Sequence, residues 1–69
     1  MRTHPYLVEM GGKIKAARNA KKLTVRELGE LCKLDYSCLS RIENGQYSSR
    51  VLTLKIIADV LGKDVKDFL

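Results

Sequence analysis

The chain has 69 residues, of which 45% are apolar and 30% charged, and it carries a formal net charge of +5. This length predicts one domain over residues 1–69, and the charged content argues against disorder. Charged residues interrupt every apolar run well short of the roughly 20 residues of a membrane span, and no export signal is visible, so we expect a cytoplasmic protein with no membrane partner.

The positive charge is concentrated in one part of the chain. Residues 10–50 hold nine basic and four acidic side chains, whereas residues 51–69 hold three of each. A local positive field of this kind suits a polyanion such as DNA, although ordinary surface solubility would give a similar composition.

The residues that commonly carry metal or catalytic chemistry are few. Cys32 and Cys38 do not form a CxxC pair, and the lone histidine, His4, is distant in sequence, so no zinc site is expected. In a reducing cytosol the two cysteines are most simply small buried or half-buried apolar side chains. With no nucleophile beside a base and no phosphate-binding loop, we expect neither an enzyme nor a cofactor.

Apolar residues at helical spacing predict five helical segments, and the first begins at residue 5 or 10 and ends near residue 21. Gly11 and Gly12 weaken its early part, because glycine costs about 1 kcal/mol relative to alanine inside a helix. Residues 1–9 are therefore either a loose N-terminal arm or an extension of helix one.

The second helix has the clearest start signal in the sequence. Thr24 and Glu27 have the spacing of a capping box, in which each side chain satisfies the other residue's main-chain N–H group. The helix is predicted over residues 25–32, with Leu28 and Leu31 buried.

A third helix follows after a tight turn. Asp35 is placed to cap a helix over residues 36–44, with Leu39 and Ile42 facing inward, and Gly45 can take the left-handed conformation that ends it. Two short helices joined in this way form a helix-turn-helix motif.

The fourth helix is predicted over residues 51–61, after a polar loop at 46–50 and before Gly62. A last helical turn at 65–69 would close the core with Val65 and Phe68. The whole chain is thus predicted to be all-α.

Residues 24–45, with Ile-Glu-Asn-Gly at 42–45, resemble the phage-repressor and Cro-like (XRE-like) helix-turn-helix family, and the resemblance extends over about residues 10–68. It implies a compact five-helix, lambda-repressor-like DNA-binding domain. It further implies a sequence-specific transcription regulator, a repressor or controller protein, that acts as a homodimer on a two-fold operator in double-stranded DNA.

The same resemblance places helix three in the major groove, with its exposed side chains reading base edges. By position these are Tyr36, Ser37, Ser40 and Arg41. Arg41 can pair with guanine O6 and N7. Tyr36 can contact a thymine methyl group or a phosphate, but it can equally cover the edge of the core.

Phosphate contacts position such a domain without reading sequence. The family pattern assigns them to the start of helix two and to the residues after helix three: Thr24, Val25, Arg26, Asn44, Gln46, Tyr47, Ser48 and Ser49. It also pairs Arg18 with Glu43 in a structural ion pair. Val25 and Lys33 depart from the pattern, which commonly has glutamine and glycine there.

A protein-interaction module, such as an antitoxin that retains the fold with weak or no DNA binding, is the alternative function. Residues 51–69 would then contact a protein partner, with Val60, Phe68 and Leu69 exposed.

Overall fold

Four α-helices and one 3₁₀ turn build the chain between residues 5 and 68, the part that this computed structural model describes. They are α1 (Pro5–Ala20), α2 (Val25–Cys32), α3 (Tyr36–Glu43), α4 (Val51–Leu61) and the 3₁₀ turn Val65–Asp67. The all-α prediction is confirmed. The five-helix count is not, because the last predicted helix is a single 3₁₀ turn within the described residues.

Helix α1 begins at Pro5, so residues 5–9 are part of this helix. Of the two sequence-based alternatives, an N-terminal arm and an extension of helix one, these residues follow the second. Residues 1–4, which complete the predicted arm, lie outside the described residues, as does Leu69. No helix between residues 5 and 68 combines the length and apolar character of a bilayer span.

All four helices contribute side chains to one core. The fully buried members are Ile14, Leu28, Leu39, Ile42, Ile57 and Leu61. Because helices of 8–16 residues are marginal in isolation, this shared packing is what stabilises them.

The predicted burial of Leu31 and the predicted exposure of Phe68 are wrong, whereas the prediction that Phe68 closes the core is confirmed. Leu31 is 57% exposed, because the core-facing side of α2 runs through Leu28 and Cys32, four residues apart, and Leu31 lies beyond its edge. Phe68 is only 2% exposed, because the 3₁₀ turn brings it back against the core, so it offers no surface to a partner. Val60 is half-buried against the same core.

Each helix ends in the same kind of turn. A left-handed residue stands one or two positions after the last helical residue, and the next N–H reaches back to a carbonyl five residues earlier, as in Leu34 N to Gly29 O at 2.8 Å and Gln46 N to Arg41 O at 2.8 Å. Two of the left-handed residues are Gly45 and Gly62, but the other two are Lys22 and Lys33. Lys33, which stands in the helix-turn-helix turn, has φ 58° and ψ 42°.

Glycines allow α1 to lie directly on the end of α3. A Cβ at Gly11 would overlap the carbonyl oxygens of Ile42 and Glu43. A Cβ at Gly45 would lie 2.8 Å from Val8 Cα. The backbones therefore meet without intervening side chains, and this contact sets the distance between α1 and the end of α3.

Candidate nucleic-acid interface

The four predicted base-reading residues share one face of α3. At 100° per residue, Tyr36, Ser37, Ser40 and Arg41 span an arc of about 140°. Tyr36, Ser37 and Arg41 are exposed and Ser40 is half-buried, while Leu39 and Ile42 are fully buried on the opposite side. The helix thus presents a polar, donor-rich face to solvent.

Asp35 fixes the start of this helix. Its carboxylate Oδ1 accepts a hydrogen bond from Ser37 N at 3.2 Å, which satisfies one of the main-chain donors that a helix leaves unpaired at its N-terminus. The first turn, which carries Tyr36 and Ser37, is therefore anchored independently of any ligand.

The start of α2 is capped in both directions. Thr24 Oγ1 accepts from Glu27 N at 3.0 Å, and Thr24 N donates to Glu27 Oε1 at 2.8 Å. The first-turn amides of Val25 and Arg26 lie outside the helical hydrogen-bond ladder, and such amides suit a phosphate oxygen. The Val25 side chain is apolar and half-buried against the core, so at this position only the main-chain N–H group can donate to a phosphate.

The segment after α3 supplies further polar groups. Asn44, Gln46, Tyr47 and Ser48 are exposed. Ser49 differs, because its hydroxyl oxygen is buried and has no hydrogen-bond partner among the described residues. A phosphate contact by Ser49 would have to use its main chain.

Arg18 and Glu43 meet as a buried ion pair. Arg18 Nε lies 2.7 Å from Glu43 Oε2, and Arg18 Nη2 lies 3.0 Å from Glu43 Oε1. Arg18 Nη1 also donates to the Leu23 carbonyl oxygen at 2.6 Å. One guanidinium therefore joins α1, the end of α3 and the approach to α2, and so sets the position of the exposed α3 face.

Sequence reasoning did not find a contact between Arg26 and Tyr36. The Arg26 guanidinium carbon lies 5.0 Å from the centre of the Tyr36 ring, within the range of a cation–π interaction. Arg26 was predicted to contact a phosphate and Tyr36 to read a base. They lie on separate helices, so no short sequence spacing indicates that they are in contact. Only the packing of α2 on α3 brings them together.

The exposed apolar surface of α4 also differs from the predicted one. Val51 and Leu52, at the start of α4, are 71% and 70% exposed. They fall within the range 51–69 that was predicted to contact a partner, but at the opposite end from Phe68. Single exposed apolar residues are common, whereas two adjacent ones at this exposure form a small exposed apolar patch.

Both cysteines are free thiols, Cys32 buried and Cys38 half-buried. Burial raises the pKa of the Cys32 thiol, which lowers its reactivity. Among residues 5–68, no three side chains of the metal-ligating types come together around a point where an ion could bind.

The chain is similar to proteins of one family, the helix-turn-helix family. A family model described as "Helix-turn-helix" matches residues 14–68. Among curated proteins, the immunity repressor protein of Bacillus phage phi105 is 39% identical over 56 residues, which make up 81% of this chain. The chain spans only 39% of the length of that repressor.

Solved structures agree with the family match. The restriction-modification controller protein C.AhdI from Aeromonas hydrophila superimposes with a TM-score of 0.92 at 26% identity, over 96% of this chain and all of that one. The clp gene regulator ClgR from Corynebacterium glutamicum gives a TM-score of 0.88 at 25% identity, over 97% of this chain and 71% of that one. The similarity to C.AhdI thus extends over the whole of that solved chain.

Proposed function

Because the chain belongs to the phage-repressor and Cro-like helix-turn-helix family, we propose that it regulates transcription by binding a specific sequence in duplex DNA through α3. The observation that carries this proposal is the exposed polar face of α3, which is rigidly mounted by the Asp35 cap and by the Arg18–Glu43 ion pair. A preorganised helix loses little conformational freedom on entering the major groove.

Within this proposal, side chains on the α3 face read the bases. Arg41 donates two hydrogen bonds to guanine O6 and N7, which is the most discriminating contact that this set of side chains can make. Ser37 and Ser40 can donate or accept and therefore discriminate less. Tyr36 presents its ring to a thymine methyl group.

Phosphates are bound on both sides of that helix. On one side are the free amides at the start of α2 with the Arg26 side chain, and on the other are the exposed polar groups of Asn44, Gln46, Tyr47 and Ser48. These contacts set the angle of α3 in the groove but do not depend on sequence.

The proposed active form is a homodimer on a two-fold operator. The described part of the chain presents one short reading helix, and two copies double the number of base contacts. Val51 and Leu52 supply exposed apolar surface that a second copy would cover, because burying such side chains favours association. The names of the phi105 repressor and of C.AhdI support a repressor or controller role, which implies action on DNA in the cytoplasm.

Selection of bound duplexes from a random pool tests this function directly. We expect an enriched two-fold sequence whose half-sites lie about one helical turn apart, 34–36 Å. Affinity for the selected duplex should fall steeply as salt rises, because bound phosphates release counterions. An unenriched pool together with salt-independent binding would contradict DNA reading and favour the protein-interaction alternative.

Sedimentation of the free protein tests the dimer. A Leu52→Asp variant should dissociate the dimer and weaken operator binding while it keeps the helical signal of the wild type. Leu31→Asp is the matched control, since Leu31 is 57% exposed on a different helix. A monomeric wild type that still binds the full two-fold site with one protein per half-site, and no cooperativity, would contradict the dimer.

A further inference from the structure

Tyr36, the first residue of α3, is held from α2 on two sides. Its ring lies under the Arg26 guanidinium, with 5.0 Å between the guanidinium carbon and the ring centre. Its main chain packs on Gly29, where a Cβ would lie 3.4 Å from Tyr36 Cα and 3.5 Å from Tyr36 Cβ. The two contacts act on different parts of the same residue.

Gly29 sets how close α2 comes to the start of α3. It is buried, and a Cβ there would lie 3.0 Å from the Leu34 carbonyl oxygen, tighter than ordinary contact. With hydrogen in place of a side chain, the α2 backbone reaches the turn and the first residue of α3. Together with the Asp35 cap, this close approach fixes the Tyr36 main chain.

The ring of Tyr36 retains freedom that the main chain lacks. Tyr36 is 48% exposed, so core packing alone does not select one side-chain rotamer. A cation–π contact at an exposed site favours the contacting rotamer by about two- to fivefold over the alternatives. A guanidinium suits this role because it is planar and stacks on aromatic faces.

We infer that Arg26 is a positioning residue that orients the Tyr36 ring for base reading, in addition to any charge that it offers to a phosphate. The inference rests on the proposed function, because it needs Tyr36 to contact a base. The inference links the phosphate-contacting start of α2 to the base-reading face of α3, because Arg26 on α2 controls discrimination at the base position that Tyr36 contacts.

The test measures affinity for the duplex selected by the wild-type protein and for its single-base-pair variants. Arg26→Ala should reduce discrimination about two- to fivefold at one base position and leave it unchanged at the others. In a Tyr36→Leu background, Arg26→Ala should no longer change discrimination at that position, since the ring is gone. Lys15→Ala, which removes an exposed positive charge from α1, is the matched control and should leave discrimination at every position unchanged.

A second readout uses the free protein. The Tyr36 side-chain couplings and ring chemical shifts, measured by NMR, should show one dominant rotamer in the wild type and rotamer averaging in Arg26→Ala. An unchanged melting temperature across these variants would separate ring orientation from a general loss of structure.

Two outcomes would overturn the inference while leaving DNA binding intact. Discrimination that is unchanged in Arg26→Ala, with only a shallower salt dependence, would make Arg26 a phosphate contact alone. Discrimination that is lost equally in the Tyr36→Leu background would make Arg26 itself the base-reading residue. Absence of salt-dependent duplex binding by the wild type would instead overturn the proposed function, and the inference with it.

Discussion

Arg18 on α1 and Glu43 at the end of α3 form a bidentate ion pair between residues 25 apart in sequence, and both residues are buried. The Nε–Oε2 and Nη2–Oε1 distances are 2.7 and 3.0 Å. An acidic side chain would repel DNA if it were exposed on a reading helix, but here the carboxylate faces the interior and holds the helix in place.

Glu43→Ala should reduce the free energy of unfolding by about 3–5 kcal/mol, because it leaves a buried guanidinium without its carboxylate. Small domains have only about 0.05–0.15 kcal/mol of stability per residue, so this loss is a large part of the total. Urea denaturation followed by circular dichroism measures it.

The exposed pair Lys55–Asp59 on α4 is the control for this substitution. Its side chains are 61% and 63% exposed, with 3.2 Å between Lys55 Nζ and Asp59 Oδ1. Asp59→Ala should change the free energy of unfolding by less than about 1 kcal/mol. Equal effects of the two substitutions would mean that burial adds nothing to the Arg18–Glu43 contact.

The adjacent glycines of α1 should respond in opposite directions to alanine. Gly11→Ala places a Cβ against the Ile42 and Glu43 carbonyl oxygens, so α3 must move, at a cost of about 1–3 kcal/mol. Gly12→Ala meets no atom within 4 Å and should gain up to about 1 kcal/mol from helix propensity. Thermal denaturation of the two variants measures both effects, and loss of stability in Gly12→Ala would show that the helix needs glycine there for another reason.

Local signals in the sequence predicted most of the helix ends. The Thr24–Glu27 capping box and the Asp35 cap depend on neighbouring residues only, and both form as the spacing indicated. Lys33 takes the left-handed conformation at the turn position where the family pattern commonly has glycine, although lysine has no preference for it.

The sequence could not predict features that depend on how the helices pack. Leu31 has the spacing of a core residue, but the depth at which α2 lies on α4 and α3 leaves it outside. Phe68 was assigned both to the core and to an exposed surface, and only the path of the 3₁₀ turn decides between them. The Arg26–Tyr36 contact likewise requires two helices to be in place.

Replacing Lys33 with glycine should stabilise the domain. Lys33 has φ 58°, a conformation that costs an L-residue about 1–2 kcal/mol, whereas glycine adopts it readily. Part of this gain is offset by the greater freedom of glycine in the unfolded chain, so the net increase should be about 1 kcal/mol. The midpoint of urea unfolding measures it.

Lys15→Gly gives the matched comparison, because Lys15 is exposed within α1. The same substitution there should cost about 1 kcal/mol, since glycine disfavours a helix interior. A decrease in both variants would show that the Lys33 side chain contributes contacts that outweigh the backbone strain.

Arg41 provides the sharpest test of which residues read sequence. Arg41→Ala should weaken binding to the selected duplex by about 1–3 kcal/mol and relax the preference at one base pair, because a bidentate contact to guanine is lost. Arg50→Ala removes an equal charge from an exposed residue outside α3, and should weaken binding to all sequences alike, with a shallower salt dependence. Competition binding against every single-base-pair variant separates these two patterns. If Arg41→Ala behaves like Arg50→Ala, then Arg41 contacts the phosphate backbone, and discrimination must come from the other base-reading candidates on α3, Tyr36, Ser37 and Ser40.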